Sequence, residues 1–451
     1  MKNLNQFNSY NWQGLFFYTD ESLKFNGKLI YQPEDGFYLE FFLETSQKIK
    51  PTGCLHGVLE NGQKCTLFGN FNMNLTGMNI NIFTYRERVN FGIFGKHVHQ
   101  NQLFCGIIAD FTFFQEFCCP KGLRKNVKKA ELKDKKLFHN KDIEISIINY
   151  EYYEWLNQDF VDRFNTSDQD IFDKIQDFFN ALKVSHGNYN IAFRTDVKSM
   201  LRILATNKKN INELFLIIKS LYEFLSFLLY LPVRPIEMRI IIETKDKTRE
   251  DQQLPMLIGF TDFRNGILEL SKSEIVHQHL IITPFTVDMK TILTTWMKKY
   301  FDQYNTFIQK IANYTGFSPF YEYEVRSEYV FLTAILEEIY HNTKDRNKKY
   351  NYENRYSYAI DLYSGAALQK TLKNLLKIDK ENITLGKAIG NLRNEIAHAG
   401  KPKNHMLKLS SLELFDICKC LDIIITAYIY KDLGIPSKVI ESFKEKEISK
   451  I

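Results

Sequence analysis

The 451-residue sequence has no long apolar run and no cysteine pattern suited to disulfide bonds. Its longest apolar stretch, residues 221–231, is interrupted by Glu223 and followed by Pro232, so it is too short to cross a bilayer and predicts a buried helix. The seven cysteines are odd in number and irregularly spaced, without a Cys-x-x-Cys pair, which favours a reducing cytoplasm. Residues 1–4 begin no apolar leader, so we expect a cytoplasmic protein without a signal peptide and without a membrane partner.

Motifs of several enzyme classes are also missing. The chain has no Gly-x-x-x-x-Gly-Lys-Ser/Thr loop, no dinucleotide-binding fingerprint and no Gly-x-Ser-x-Gly turn, which makes phosphate-cradling NTPases and serine hydrolases poor candidates. The pairs His97/His99 and His277/His279 have a spacing that, on a strand, places both imidazoles on one face. Neither pair is accompanied by an Asp, Glu or Cys pattern that completes a zinc site, so we expect no metal and no cofactor.

The overall composition is that of a folded globular protein. Hydrophobic residues make up 44% of the chain and charged residues 25%, and its length is sufficient for two or three domains. The net charge of +6 is mildly basic, which permits contact with nucleic acid without requiring it. The basic run at residues 121–136 has two interpretations, a solvated connection, which we favour, and an RNA-binding patch.

Residues 1–190 are predicted to form the first domain, in which residues 12 to about 119 follow a rhythm of short strands separated by glycines. Residues 37–43 are predicted to form one strand, and residues 57–67 to form two short strands joined by a tight turn at Asn61 and Gly62. These features predict a β-rich N-terminal domain with the architecture of a sandwich or a partly open barrel.

Residues 191–315 form a mixed α/β middle region in this interpretation. We predict that residues 196–230 are largely helical, in two pieces separated at residues 208–210. Residues 238–243 and 255–260 are predicted to be strands on either side of a polar loop.

Residues 316–451 are predicted to form an all-helical bundle, which makes the chain an α+β multidomain protein. The first helix covers residues 323–342, where apolar residues recur at helical spacing, and residues 357–376 form the second. Thr384 is placed to cap a third helix that ends near Gly400. A capping box at residues 410–413 starts a long apolar helix that reaches about residue 431. Four or five antiparallel helices are expected.

The third helix of this bundle combines an apolar stripe with polar residues on its other faces. At about 100° per residue, a core-facing stripe is formed by Leu385, Ile389, Leu392 and Ile396. Asn394 and His398 point away from the stripe, and Arg393 lies at its flank. A histidine moves protons near neutral pH and an arginine holds an anion with its planar fork, so the helix is equipped for chemistry on a phosphate. The alternative is a solvated helix face without a function.

Residues 393–398, Arg-Asn-Glu-Ile-Ala-His, resemble the Arg-polar-x-x-x-His motif of HEPN ribonucleases. The resemblance implies a metal-independent endoribonuclease in which His398 is the general acid or base and Arg393 stabilises the phosphorane formed by attack of the ribose 2′-hydroxyl. Asn394 would orient His398 or bind the phosphate. Glu337 or Glu338 on the first bundle helix is a candidate supporting carboxylate, although a glutamate on an amphipathic helix is usually only solvated.

The order of the regions is similar to that of ApeA-type HEPN proteins of bacterial anti-phage defence, with Gly27-Lys28-Leu29 and residues 57–67 followed by the middle region and the bundle. This resemblance implies RNA as the substrate, with tRNA or another translation-related RNA as candidates, and a homodimer through the HEPN bundle. A phage-encoded activator or inhibitor is a further candidate partner. Two alternatives stay open: a non-catalytic module that binds nucleic acid or a phage protein, and a toxin that a partner holds inactive.

Overall fold

The structure is a computed structural model of the chain. It describes residues 4–44, 50–72, 75–79, 82–118, 134–157, 163–166, 173–174, 177, 191–244, 251–259, 280–299, 322–343, 352–378, 383–397 and 409–451. The chain forms two compact units, one of residues 1–280 with 300–315 and one of residues 281–299 with 316–451. The division into domains 1–190, 191–315 and 316–451 stays a prediction.

The first unit contains one large sheet, in which all pairings between the described strands are antiparallel. In chain order its strands are β1 (Tyr10–Tyr18), β2 (Lys24–Gln32), β3 (Gly36–Glu44), β4 (Thr52–Leu59), β5 (Lys64–Phe71), β6 (Leu75–Asn79), β7 (Ile82–Arg88), β8 (Phe91–Phe94), β9 (Phe104–Phe111), β10 (Lys135–His139), β11 (Ile143–Asn157), β12 (Arg163–Thr166), β13 (Ile191–Lys209), β14 (Pro235–Ile242) and β15 (Gln252–Ile258). Their order across the sheet is β10-β11-β13-β9-β14-β15-β8-β5-β4-β1-β2-β3-β7-β6, and β12 pairs with β11.

Alternating burial explains why the N-terminal segments form strands. Along β2 buried residues recur at every second position, as expected when one face of a strand packs on a core. The predicted strands at residues 37–43 and 57–67 are confirmed as β3 and the β4–β5 hairpin. In that hairpin the side chain of Asn61 accepts a hydrogen bond from the Gln63 amide at 2.9 Å, and Gly62 has φ +77°. The positive φ favours glycine at this turn.

The core of the N-terminal strands is built mainly from aromatic rings. Phe25 stacks on Phe41 with ring centroids 4.3 Å apart, and Phe41 stacks on Tyr85 at 5.1 Å. Phe16 and Phe37 belong to the same cluster and are fully buried. These rings come from β1, β2, β3 and β7, so the packing of one face of the sheet joins the first strands to the more distant β7.

The strands of the middle region belong to the same sheet. Strands β14 and β15 confirm the predicted strand pair, and β14 also pairs with β9. The helix predicted over residues 196–207 is wrong, because this segment lies in β13 and pairs with β11 on one side and β9 on the other. The following helix is confirmed as α2 (Ile211–Leu229), which starts with a capping box between Asn210 and Glu213. A short helix, α1 (Phe114–Cys118), follows β9.

The second unit is helical, and the predicted α+β class of the chain is confirmed. Its described helices are α3 (Met289–Lys299), α4 (Glu322–Thr343), α5 (Tyr352–Tyr363), α6 (Gly365–Leu375), α7 (Leu385–Ala397), α8 (Ser411–Asp432) and α9 (Ser437–Ile448). The prediction of one helix over residues 357–376 is wrong in that the chain breaks at Ser364 and Gly365. Gly365 has φ +73°, a left-handed conformation that separates α5 from α6.

Helix α8 lies at the centre of this unit and contacts α4, α5, α6 and α9. It begins with the predicted capping box, in which the Glu413 amide donates to Ser410 Oγ at 3.2 Å and the Ser410 amide donates to Glu413 Oε2 at 2.7 Å. Residues on several of its faces are buried, as expected for a helix surrounded by others. None of the helices that the structure describes is both long and apolar enough to cross a membrane.

Candidate functional site

Helix α7, which carries the predicted motif, is fixed to its surroundings at two points. At its start, the Lys387 amide donates to Thr384 Oγ1 at 3.2 Å, so Thr384 caps the helix as predicted. In its middle, the Tyr329 hydroxyl on α4 donates to the backbone carbonyl oxygen of Ile389 at 2.9 Å. Because Ile389 lies one helical turn before Arg393, this hydrogen bond fixes α7 close to the first residue of the motif.

The faces of α7 have the burial expected from its sequence. Leu385, Ile389 and Leu392 are buried, with 7%, 0% and 1% of their surface exposed, which confirms three members of the apolar stripe. Ile396 is only half-buried and lies in the last turn of the helix. Asn394 is exposed on the face away from the stripe, as predicted.

Arg393 lies at the edge between the buried and exposed faces of α7. Its side chain is half-buried, and its Nε is buried without a hydrogen-bond partner among the described residues. Burial raises the pKa of the Tyr329 phenol well above its usual value, and the positive charge of Arg393 acts in the opposite direction. A guanidinium with an unpaired buried donor gains free energy when an acceptor binds it, because leaving such a donor unsatisfied costs about 1–3 kcal/mol. Arg393 therefore has the properties of an anion-binding group.

The two candidate glutamates differ in their surroundings. Glu337 is half-buried and its Oε1 accepts a hydrogen bond of 2.6 Å from the Tyr356 hydroxyl. Tyr356 is fully buried on α5 and packs against Gly390 of α7, where an added Cβ would lie 3.2 Å from its Cε2. Glu338 is exposed. The structure therefore connects Glu337 to the motif helix through Tyr356 and shows no such connection for Glu338 among the described residues.

His398 and Gly400 lie outside the described residues, so the structure adds nothing to their predicted positions. Arg393 and Asn394 are both within α7, which is described to Ala397. Their roles, and that of His398, stay predictions drawn from the motif.

The two buried tyrosines near the motif were missed as functional residues. Tyr329 lies within the predicted first bundle helix, residues 323–342, and Tyr356 lies directly before the predicted second helix, residues 357–376. Both hydroxyls have partners in the fold, the Ile389 carbonyl and the Glu337 carboxylate. The sequence does indicate that these tyrosines need a partner, because a tyrosine at a core position requires a hydrogen-bond partner for its hydroxyl. Local sequence does not indicate which residue that partner is.

The pair His97 and His99 does not form the strand arrangement considered for a metal site. His97 lies after β8, which ends at Phe94, so the strand geometry does not apply to His97 and His99. The His97 ring instead stacks on His56 with centroids 4.6 Å apart, and its Nε2 lies 2.9 Å from the Gly57 carbonyl oxygen. The pair at residues 277 and 279 lies outside the described residues. Within the described ranges, no three His, Cys, Asp or Glu side chains are grouped as metal ligands.

Most of the basic run at residues 121–136 lies outside the described residues. Its last two members, Lys135 and Lys136, belong to β10, and Lys136 forms an ion pair with Glu144 of β11. These two lysines are therefore part of the sheet, and the choice between a connection and an RNA-binding patch stays open for the remainder.

Two family models match the sequence, one after the other. Residues 11–296 match the ApeA N-terminal domain 1, and residues 317–439 match the Apea-like HEPN domain. The second match contains the whole motif at residues 393–398. No curated protein and no solved structure matches the chain. HEPN domains of this kind are typical of nucleases of defence systems, most of which act on RNA.

Proposed function

Because the chain belongs to the ApeA family, we propose that it is a metal-independent HEPN endoribonuclease of anti-phage defence that acts by abortive infection. The observation that carries the proposal is the state of Arg393, a half-buried guanidinium whose Nε has no partner among the described residues. It stands beside the exposed Asn394 on a helix that is fixed by Tyr329. An arginine held in this way binds a phosphate without first breaking an internal ion pair.

In the proposed reaction the ribose 2′-oxygen attacks the adjacent phosphorus, and the bond between phosphorus and the 5′-oxygen breaks. The proton of the 2′-hydroxyl is removed by a base and the departing 5′-oxygen receives a proton, with His398 in one of these roles. Arg393 stabilises the additional negative charge of the phosphorane. Asn394 orients His398 or binds the phosphate. The products are a 2′,3′-cyclic phosphate and a 5′-hydroxyl, and no step requires a metal.

Two proton transfers are easier to perform with two histidines than with one. A single motif helix supplies one, so we propose that two copies of the HEPN bundle form a two-fold homodimer with a composite cleft. The exposure of Asn394 supports this arrangement, since the residue is free to face a second copy. In this assembly Glu337 acts on the motif helix through Tyr356 and not on RNA directly.

The substrate in this proposal is RNA, with tRNA or another translation-related RNA as candidates. We further propose that the chain has three domains, 1–190, 191–315 and 316–451, of which the last is the nuclease. The remaining two are available to recognise a phage-encoded activator or inhibitor. Such a division separates the reaction from the signal that starts it.

The test is cleavage of total RNA by the purified full chain, with and without EDTA. We expect cleavage in both conditions, products with 5′-hydroxyl ends, and loss of cleavage in His398→Ala with RNA binding retained. Lys387→Ala is the matched control, because Lys387 is exposed on the same helix outside the motif.

Three results contradict the proposal in different ways. Cleavage that EDTA abolishes and Mg²⁺ restores contradicts metal independence. A His398→Ala protein that is folded and cleaves at the wild-type rate moves the active site away from the motif. Binding without cleavage by the wild-type chain, also in the presence of extracts from phage-infected cells, supports the non-catalytic alternative.

A further inference from the structure

The first unit contains an open cavity of about 480 Å³ that the proposed reaction does not use. The cavity lies between the β4–β5 hairpin, the segment that leads into β9 and the start of α2. Its described lining residues are Gly53, Phe68, Gly69, Asn90, Phe91, Gln100, Asn101, Gln102, Leu103, Phe104, Asn210, Ile211 and Asn212. Its volume is within the range of small-molecule sites, which is roughly 300–1,000 Å³.

The lining combines an apolar floor with a rim of carboxamides. Phe68, Phe91 and Phe104 are buried, with 7%, 1% and 0% of their surface exposed. Six of the described lining residues are asparagines or glutamines, and no described lining residue carries a charge. A site of this composition offers paired donors and acceptors but no counter-charge, so it suits an uncharged ligand.

Several of these carboxamides have no side-chain partner. Among the described residues the side chains of Asn90, Gln100 and Asn212 have no hydrogen-bond partner, and those of Gln100 and Asn212 are exposed. Asn90 is half-buried and its backbone is fixed, because its amide donates to the Phe68 carbonyl at 2.7 Å and its carbonyl accepts from the Gly259 amide at 2.8 Å. A half-buried carboxamide on a fixed backbone, open to a cavity, is pre-organised for a ligand.

The start of α2 does not supply an anion site here. The Asn210 side chain accepts a hydrogen bond from the Glu213 amide at 3.0 Å, and the Glu213 carboxylate accepts from the Asn210 amide at 2.9 Å. This capping box brings a negative charge to the helix start and occupies donors that a phosphate would need. The cavity therefore does not favour the phosphate of a nucleotide.

We propose that this cavity binds a nucleobase, either of a free nucleoside or of an unpaired nucleotide whose phosphate stays outside. The planar carboxamide presents a donor and an acceptor side by side, the arrangement with which Asn and Gln pair with the edge of a base. The side chains of the exposed Leu103 and of Phe68 offer apolar contact to the flat ring of the base. A peptide or a sugar also forms hydrogen bonds with carboxamides, but a base matches both the paired edge groups and the absence of charge. The proposal does not depend on RNA cleavage by the HEPN domain.

The experiment is calorimetric titration of the full chain with adenosine, guanosine, cytidine and uridine in separate runs. Ribose, N-acetylglucosamine and glycylglycinamide are titrated in parallel to test a sugar or a peptide as the ligand. We expect one-to-one binding of at least one nucleoside and none of the other three compounds. Asn90→Ala should weaken binding about tenfold, because it removes one paired contact.

Gly53→Ala provides a second variant, which removes no carboxamide from the cavity but displaces one. The added Cβ would lie 2.7 Å from Gln100 Nε2, the end of a flexible side chain, so it displaces this carboxamide while the fold is kept. It should weaken nucleoside binding with an unchanged melting temperature. Gln32→Ala, which removes an exposed carboxamide at the end of β2, should leave binding unchanged.

Three results overturn the proposal. One is the absence of binding by all four nucleosides up to their solubility limits. Another is binding of ribose, the amino sugar or the dipeptide amide as tight as that of the best nucleoside. The third is nucleoside binding that both Asn90→Ala and Gly53→Ala leave intact, which places the ligand elsewhere.

Discussion

The hydroxyl of Tyr329 on α4 donates a hydrogen bond of 2.9 Å to the carbonyl oxygen of Ile389 on α7. In an α-helix this carbonyl also accepts the backbone amide of the residue four positions later, which is Arg393. Tyr329 is fully buried, so its hydroxyl cannot exchange this acceptor for water. The contact therefore sets where the motif begins relative to α4, and it does so through the backbone and not through a motif side chain.

Tyr329→Phe removes only this hydroxyl. We expect the free energy of unfolding to fall by about 1 kcal/mol, the usual net value of one internal hydrogen bond, and RNA cleavage to fall more than RNA binding because Arg393 is less well positioned. Urea denaturation and cleavage assays on the same preparation measure both effects. Tyr363→Phe is the control, since the Tyr363 hydroxyl makes no hydrogen bond to a described residue. Unchanged stability and cleavage in Tyr329→Phe would show that the contact has no positioning role.

Gly390→Ala tests the close packing of α5 against α7. Alanine gains about 1 kcal/mol of intrinsic helix stability over glycine, but its Cβ would lie 3.2 Å from Cε2 of the fully buried Tyr356. Tyr356 has little freedom to move, because its hydroxyl is bound to Glu337 at 2.6 Å. Overpacking costs about 1–3 kcal/mol, so we expect a net loss of about 1 kcal/mol in unfolding free energy.

Asn391→Ala is the matched control for this variant, because Asn391 is the exposed neighbour of Gly390 on α7. It should stabilise the chain by about 0.5 kcal/mol through helix propensity alone. If Gly390→Ala stabilised the protein as much as or more than Asn391→Ala, the contact with Tyr356 would be unimportant for packing.

The helical unit was largely predictable because its signals are local. The capping box at Ser410 and Glu413 and the cap at Thr384 are short sequence patterns, and each is present where the sequence places it. The exposure of Asn394 and the burial of Leu392 follow from the period of one helix. The break at Gly365 was missed because a glycine within a helical pattern is often tolerated, and its left-handed conformation depends on packing.

The sheet shows where local patterns are insufficient. Residues 196–207 contain apolar residues at spacings that suit a helix as well as a strand. This segment forms a strand because it pairs with β11 on one side and β9 on the other. Both partners come from distant parts of the chain. The connection of Glu337 to α7 cannot be predicted from local sequence either, because it passes through Tyr356 on a third helix.

An ion cluster on three neighbouring strands, in which Asp110 is buried and Lys198 and Glu237 are half-buried, leads to a prediction for the first unit. Lys198 Nζ on β13 lies 3.1 Å from Asp110 Oδ2 on β9 and 3.1 Å from Glu237 Oε2 on β14. Burial raises the pKa of the Asp110 carboxyl, and Lys198 lowers it. Lys198→Met leaves the buried Asp110 carboxylate without its cation, while Arg239 Nη2 still lies 3.8 Å from Glu237 Oε2, so we expect a loss of about 3 kcal/mol in unfolding free energy at neutral pH.

The sign of the pH dependence follows from the raised pKa of Asp110. Its ionised form is disfavoured in the folded state, and the cost is removed as the pH falls through the folded-state pKa. The destabilisation by Lys198→Met should therefore shrink on acidification, which urea denaturation at several pH values measures. Lys136→Met removes an exposed ion pair with Glu144 and should change stability by less than about 1 kcal/mol. A penalty for Lys198→Met equal to that of Lys136→Met would contradict the argument.

The cap of α8 predicts an effect at lower pH. A hydrogen bond from the Lys377 side chain, at 2.8 Å, and one from the Ser410 amide lower the pKa of Glu413 from 4.5 to about 2. Its contribution to stability is therefore complete above pH 4.5 and is lost as the pH falls toward 2. Glu413→Gln should be less stable than the wild type at pH 6, and the difference between the two unfolding free energies should be smaller at pH 3 and vanish toward pH 2. Ser410→Ala should cost about 1 kcal/mol at both pH values, and a constant difference for Glu413→Gln would contradict the assigned pKa.

Arg393→Lys separates charge from geometry at the proposed nuclease site. Lysine keeps the positive charge but loses the planar fork, so RNA binding should change little while turnover falls about 10²-fold, the usual effect of removing one donor that stabilises transition-state charge. Arg393→Ala removes the charge as well and should weaken both. Because Arg393 lies at the flank of the buried stripe and its Nε has no partner among the described residues, both variants should keep the wild-type melting temperature. Turnover, RNA affinity and melting temperature are measured on one preparation of each variant. Unchanged turnover in Arg393→Lys would show that Arg393 acts only as a point charge. Unfolding of either variant would assign the residue a structural role.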